Sequence, residues 1–318
     1  MALRFVDSFD HYTTPSQKWT VITGAPTIVA AATRTGAQGL RCGGGNTQVA
    51  VTIDPQGTWI IGCAYRTSVI QTALIMGTLD AGAAQGAILL NPDGTLTLRR
   101  GGTAVATSAL SLLANVYYYI EMRHIINNAG GTLEVRVDGA VWATFAGDTQ
   151  ETANPTANQI YLGPSFGPAV GNQDYDDLYI LDGTGAAPNN AYWGNTQIEA
   201  LVPDGAGNYT EWLTLVGAAT HWQAEDEVPP DEDTSYVESA TLNQRDTYTF
   251  GNLSVVSATI NGIQILMRAR TTLAGADNIA RMIRHTATDN QGADVALQTS
   301  YNYIREILAT DPIAAAAW

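Results

Sequence analysis

Apolar and polar residues alternate with a period of two along much of the first 182 residues. Between residues 116 and 126, Tyr117, Tyr119, Glu121 and Arg123 fall on one face, and Tyr118, Ile120, Met122 and His124 on the other. Leu133, Val135 and Val137 share a face opposite Glu134, Arg136 and Asp138. Asp138 and Gly139 then form a two-residue hairpin signal leading into residues 141–145. Residues 87–90 and 95–98 flank Asn91, Pro92, Asp93 and Gly94, another turn signal. Strand-like runs also occupy residues 3–6, 59–66, 103–107 and 176–182. Strands at this spacing, with no helical period between them, predict an all-β sandwich whose first and last strands lie far apart in sequence.

The pattern changes near residue 183. Residues 183–190 hold three small Gly or Thr residues in a row and then Pro188 and two asparagines, a linker-like run. The expected organisation is a first domain over 1–183, a linker over 184–194 and a second β domain over 195–318. Within that second domain, residues 197–202, 246–250, 258–270 and 301–308 read as strands, and 279–285 as a strand or a short helix. The acidic stretch at 225–233, around Pro229 and Pro230, reads as a solvated loop.

Composition narrows the functional classes. Charged residues make up 14% of the 318, against roughly 25% on average, which suits a protein that covers much of its outside in an assembly. The formal net charge is −15, and Lys18 is the only lysine. With no basic face visible, binding to nucleic acid or to an anionic membrane is not expected. The apolar runs are strand-sized, so membrane insertion is not expected either. The first residues lack a basic start followed by an apolar stretch, which points to a protein made in a cytoplasm and released by lysis rather than through a cleaved signal. Cys42 and Cys63 read as two buried thiols.

The ordered series of motifs resembles a known architecture. Asp7 to Tyr12, Lys18 and Trp19, Thr35 to Arg41, Trp59 to Arg66, Tyr119 to Glu121, Val135 to Gly139 and Asp176 to Asp182 are similar, in that order, to the concanavalin A-like, laminin G-type jelly roll of tailed-bacteriophage virion proteins. Residues 198–203, 209–212, 233–237, 246–250 and 309–312 are similar to the domain that follows it in such proteins. The resemblance implies a jelly-roll sandwich followed by a smaller C-terminal β-sandwich domain, in chains expected to run on past Trp318. It implies a tail-fibre, baseplate, neck or capsid-decoration part located on the virion. Its partners would be other virion proteins and further copies of itself, with a trimer as the leading stoichiometry. The alternative is a carbohydrate-binding module that contacts a host surface glycan.

The candidate chemistry is sparse. Gly163, Ser165 and Gly167 satisfy the hydrolase pattern G-x-S-x-G, but the motif needs a strand-to-helix elbow, and Pro164 and Pro168 argue for a loop. Glycosidases need two carboxyl groups roughly 5–9 Å apart. Glu134 and Asp138 share a strand face about 13 Å apart, with Arg136 between them, which reads as a charge ladder. The expectation is therefore a protein that is not an enzyme and carries no catalytic residues. By the resemblance, Asp7, Asp10, Asp176 and Asp177 stand where such jelly rolls hold one structural calcium, and hard oxygen ligands from several segments suit that ion. No other cofactor is expected. Trp193, Trp212 and Trp222, on turn-rich segments, are the candidate aromatics for a glycan or a subunit interface.

Overall fold

The computed structural model describes residues 3–164, 171–255, 257–273, 275, 277–285, 287–316 and 318. The protein is all-β, a two-sheet jelly-roll-type sandwich followed by a smaller β unit, and the chain divides into Met1–Ile198 and Glu199–Trp318. Among the described residues no helix is long and apolar enough to cross a membrane.

The first unit carries strands β1 (Leu3–Asp7), β2 (Val21–Thr23), β3 (Thr27–Val29), β4 (Gly39–Gly43), β5 (Gln48–Gln56), β6 (Thr58–Thr67), β7 (Ala73–Asp80) and β8 (Ala83–Leu90). It continues with β9 (Thr95–Arg100), β10 (Thr103–Ser111), β11 (Tyr118–Ile125), β12 (Gly131–Val137), β13 (Ala140–Gly147), β14 (Ala157–Leu162) and β15 (Asn172–Leu181). One sheet has the order β13-β12-β11-β6-β15-β4-β3, with β1 also paired to β15. The other has the order β10-β9-β8-β7-β14-β5-β2. All pairings are antiparallel, and β1 lies against β15, so the two ends of the domain meet in one sheet.

Where the sequence alternates cleanly, the strand does too. In β12, alternate residues are buried along its whole length, and Asp138 and Gly139 both take positive φ in the turn to β13, as a two-residue hairpin requires. The core between the sheets is apolar with polar crosslinks. Trp59, on the first sheet, donates Nε1–H to the Ala157 carbonyl of the second at 3.2 Å. Tyr175 likewise donates to the Ile75 carbonyl at 2.9 Å. His124 lies 2.9 Å from Thr78 Oγ1 through Nδ1 and 3.1 Å from the Thr149 carbonyl through Nε2. Gly86 makes room for that imidazole, because a Cβ there would lie 2.5 Å from its Cε1.

The central strands of the first sheet are buried on both faces, as the burial of β6 and β15 shows. Residues around 34–35 and 193–198 lie over the outer face and hydrogen-bond to it, through Arg34, Thr35, Trp193, Gly194 and Ile198. The run read as a linker is part of this covering. Trp193 packs on Tyr179 with ring centroids 4.6 Å apart, and Arg136 lies 4.2 Å over the Tyr192 ring. The Gly and Pro content of the run is that of a linker, but its two aromatics anchor it to the sandwich.

The second unit is β throughout, and its described strands pair two by two. Pro203–Thr210 pairs with Asp246–Phe250, Thr214–Val216 with Tyr236–Glu238, and Ile263–Ala269 with Asn302–Leu308. Asn278–Ile279 pairs with Val295–Ala296, and Met282–His285, a strand, with Thr288–Gln291. The acidic stretch is braced rather than simply solvated. Glu232 pairs with Arg268, Asp233 with Arg270 at 2.7 Å, and Ser235 donates to both Glu227 and Asp231. Among the described residues of this unit, only Ala224, Ile304 and Leu308 are buried hydrophobics.

Candidate functional site

The four aspartates expected to hold calcium are all buried, and each has its own work. Asp7, at the end of β1, forms an ion pair with Lys18 at 3.0 Å. It also accepts hydrogen bonds from Phe9 N, Tyr12 Oη and Trp19 Nε1. Asp10 accepts from the backbone N–H groups of Ala37 and Gln38 at 2.7 and 2.9 Å. Asp176 and Asp177 sit in a bulge of β15 against β6, where Asp177 takes φ +51°. Asp176 Oδ2 accepts from Arg34 N at 2.6 Å and Thr35 N at 3.0 Å, and its Oδ1 from Asp177 N at 2.8 Å. Asp177 Oδ1 accepts from Ile198 N and Thr35 Oγ1, and its Oδ2 faces the Arg34 guanidinium at 3.3 Å, an ion pair without hydrogen-bond alignment.

This donor set does not fit calcium. A calcium site presents oxygens to the ion. Here N–H and O–H donors and two cations already address the carboxylates. Among the described residues, no three Asp, Glu, His or Cys side chains are grouped so as to hold a metal ion. The aspartates instead tie the covering segments to the sheet. Burial, and then the charge of Asp177, pushes the Asp176 carboxyl up to about 8.

The three candidate tryptophans are half-buried rather than displayed. Trp193 is held by its stacking on Tyr179 and by its backbone N–H, which lies 3.1 Å from Tyr179 Oη. Tyr179 in turn donates to Glu121, a fully buried carboxyl that also accepts from Gly194 N at 2.8 Å. Trp212 donates Nε1–H to the Gln244 carbonyl at 3.1 Å, and Trp222 opens the short 3-10 turn Trp222–Ala224. Arg136 pairs with Glu134 at 2.8 Å, the expected charge ladder. Ser165, Phe166 and Gly167 of the G-x-S-x-G match lie outside the described residues.

A groove that the sequence reading did not single out lies on the seven-stranded sheet. Its volume is about 430 Å³, and Gln48, Leu74, Leu79, Ala87, Arg99 and Tyr161 contribute to its lining. The register explains it. Ala50 is opposite Tyr161, Tyr161 opposite Gly77, Gly77 opposite Ala87, Ala87 opposite Arg99, and Arg99 opposite Ala104. Directly opposed residues point to one face, so these six form a single row across the sheet. Four of the six are alanine or glycine; of the row, Ala87, Arg99 and Tyr161 line the groove, and Ala87 and Tyr161 are only 3% and 2% exposed. Gly77 is needed there, because a Cβ would lie 2.6 Å from Tyr161 Oη. The only local signals were the Arg99-Arg100 pair ending a strand and Tyr161 between Ile160 and Leu162, and neither carries register.

No family model matches the sequence, and no curated protein matches it either. Several solved structures are similar in fold. The cellulose-induced protein Cip1 is 12% identical with a TM-score of 0.40, covering 56% of this chain and 90% of its own. A sialidase is 12% identical with a TM-score of 0.39, covering 56% of this chain and 18% of its own. The alginate lyase Aly36B is 9% identical with a TM-score of 0.38, covering 53% of this chain and 95% of its own. Likeness of this size goes no further than the β-sandwich fold. The expectation of a protein that is not an enzyme is nevertheless corrected: sandwiches similar to this one include sialidases and alginate lyases, so the fold gives no ground for excluding catalysis.

Proposed function

We propose that the protein is a virion component of a tailed bacteriophage, in which the second unit assembles copies of the chain and the sandwich is carried on the particle surface. The observation that carries this reading is how little apolar interior the described residues of the second unit bury. A segment of 120 residues that folded in isolation would bury a substantial apolar interior. Here Leu213, Leu242 and Leu273 are 82%, 90% and 74% exposed, and Phe250 is 54% exposed. Every described residue of Ile263–Ala269, which includes Ile263, Ile265, Leu266 and Met267, is only half-buried. Apolar surface on this scale is covered by other chains in obligate assemblies. The motif series in both halves of the sequence supplies the phage assignment, and a homotrimer is the proposed stoichiometry.

Light scattering on the full chain tests the assembly. A trimer that persists on dilution is expected. The triple variant Leu213→Gln, Leu242→Gln and Leu273→Gln, at positions exposed in a single chain, is expected to dissociate it. A wild-type monomer at every concentration overturns the reading. Antibody labelling of purified phage particles tests the location, and unlabelled particles would count against it.

A further inference from the structure

The two sides of the sandwich differ in how their sheets end. On one side the sheets end in β2 and β3, of three residues each. On the other they end in β10 and β13, of nine and eight residues, and β13 lies against β10. Among the described residues no strand pairs with the outer edge of either. Exposed edges are ordinarily kept from pairing by short strands, charges, proline or bulges. Shortness protects β2 and β3. Two irregularities in its register with β9 protect β10. In β13 the register breaks only at Trp142, and residues 143–147 pair one for one with 131–135. Its sequence holds no charge and no proline, and its Val, Trp, Thr and Phe are strand formers.

Apolar exposure gathers on the same side. Leu113, Leu110 and Val141 are 63%, 55% and 49% exposed, more than any other large apolar residue described in the first unit. Leu110 belongs to β10 and Val141 to β13. Leu113 follows β10, and its backbone N–H donates to Tyr118 Oη at 3.1 Å. The Tyr118 ring in turn meets the Trp142 ring of β13 edge-on, with centroids 6.4 Å apart. Val141, Thr144 and Ala146 share the outer face of the sheet, opposite Arg136, Glu134 and Thr132, and all three are exposed.

The free N–H and C=O groups of an edge are satisfied by an extended strand, which fixes the form of the occupant. Charge then selects which strand. With 30 acidic and 15 basic residues, two copies of this chain approach at least cost through an uncharged edge. A basic partner gains by facing acidic groups, and β13 offers it none. A strand that pairs with itself about a twofold axis is matched in length and pattern by construction.

We propose that β13 pairs antiparallel with β13 of a second copy across a twofold axis, joining two eight-stranded sheets into one, covering Val141 and bringing Leu110 and Leu113 to the rim of the contact. One strand pair buries less than the roughly 1,200–2,000 Å² of a stable interface, so the contact is weak in dilute solution and forms where copies are crowded. It is separate from the assembly proposed for the second unit, because a threefold axis cannot set β13 against itself.

Light scattering on the full chain carrying Leu213→Gln, Leu242→Gln and Leu273→Gln, which removes the contact proposed for the second unit, isolates this one. Dimers are expected to grow in as concentration rises from about 10 μM to about 1 mM. Adding Thr144→Lys and Ala146→Lys, at two exposed positions of the edge, should abolish them while leaving the melting temperature within about 2 °C. Hydrogen exchange on the wild-type chain needs no variant. Over the same concentration range, exchange in residues 140–147 should slow, and exchange in β2 and β3 should not. Monomers at the highest concentration, dimers that survive the two lysines, or exchange in β13 that ignores concentration would each overturn the proposal. A trimeric wild type alongside those results leaves the second-unit assembly standing, whereas a wild type that forms only β13 dimers upholds this contact and removes the trimer.

Discussion

His124 bridges the two sheets of the sandwich as a neutral imidazole, and this makes a quantitative prediction about acid. The ring is fully buried, with Thr78 Oγ1 on one nitrogen and the Thr149 carbonyl on the other. The carbonyl can only accept, so Nε2 carries the proton and Nδ1 accepts from Thr78. Burial lowers the pKa from its ordinary 6.5 to about 4. As pH falls below 6.5, the unfolded chain takes up a proton that the folded one refuses, until about pH 4. The stabilisation is thus complete above 6.5 and lost as pH falls through that window. At about 1.36 kcal/mol per pH unit, the loss is about 3 kcal/mol. Asp176 acts in the opposite sense: its folded-state pKa is raised from 3.8 to about 8, so acidification over that range favours the fold. A pH series on the wild type alone therefore mixes the two. His124→Gln separates them, since a glutamine amide can donate to one partner and accept from the other but does not titrate. The stability difference between wild type and variant should shift by about 3 kcal/mol between pH 7 and pH 4, with the variant gaining ground. In a unit of this size that corresponds to about 6–12 °C in melting temperature. Hydrogen exchange of peptides from β11 reports the opening of this unit specifically. A shift below about 1 kcal/mol would refute the buried neutral bridge.

Three further outcomes follow from the packing of the first unit. Lys18→Met leaves the fully buried Asp7 carboxylate without its cation and should destabilise by about 3–5 kcal/mol in urea unfolding. The double variant with Asp7→Asn should recover part of that loss, and an equal or larger loss would show that the pair is not the cause. Gly62→Ala would drive a Cβ into the Tyr179 ring and should destabilise by about 1–3 kcal/mol, so a neutral result would contradict the close approach. Because hydrogen-bond donors already surround the aspartates, millimolar calcium and excess chelator should give the same melting temperature to within about 1 °C. A calcium-dependent rise beyond that would refute the donor-set argument.

What could be read from the sequence, and what could not, divides along a physical line. Features set by neighbours along the chain were legible: the alternation of β12 and the hairpin at Asp138 and Gly139. Features set by what lies over a face were not. Glu121 falls on one face of β11 beside Tyr119 and Arg123, yet it is fully buried because the run from 189 to 194 folds back over it. Asp176 and Asp177 were read as metal ligands, but a bulge sets them against N–H and O–H donors and the Arg34 guanidinium. The groove is the extreme case, since Arg99 and Tyr161 meet only through the register of four strands. That register is itself fixed by the core. Thr78 is opposite Gly86 on the inner face, and Gly77 is opposite Ala87 on the outer one. Slipping β8 by one residue would turn Ala87 inward, placing a methyl group where only Gly86 leaves space for the His124 ring. The same slip would turn Gly86 outward and take Ala87 from between Gly77 and Arg99. The packing of the imidazole on one face therefore holds the row that forms the groove on the other.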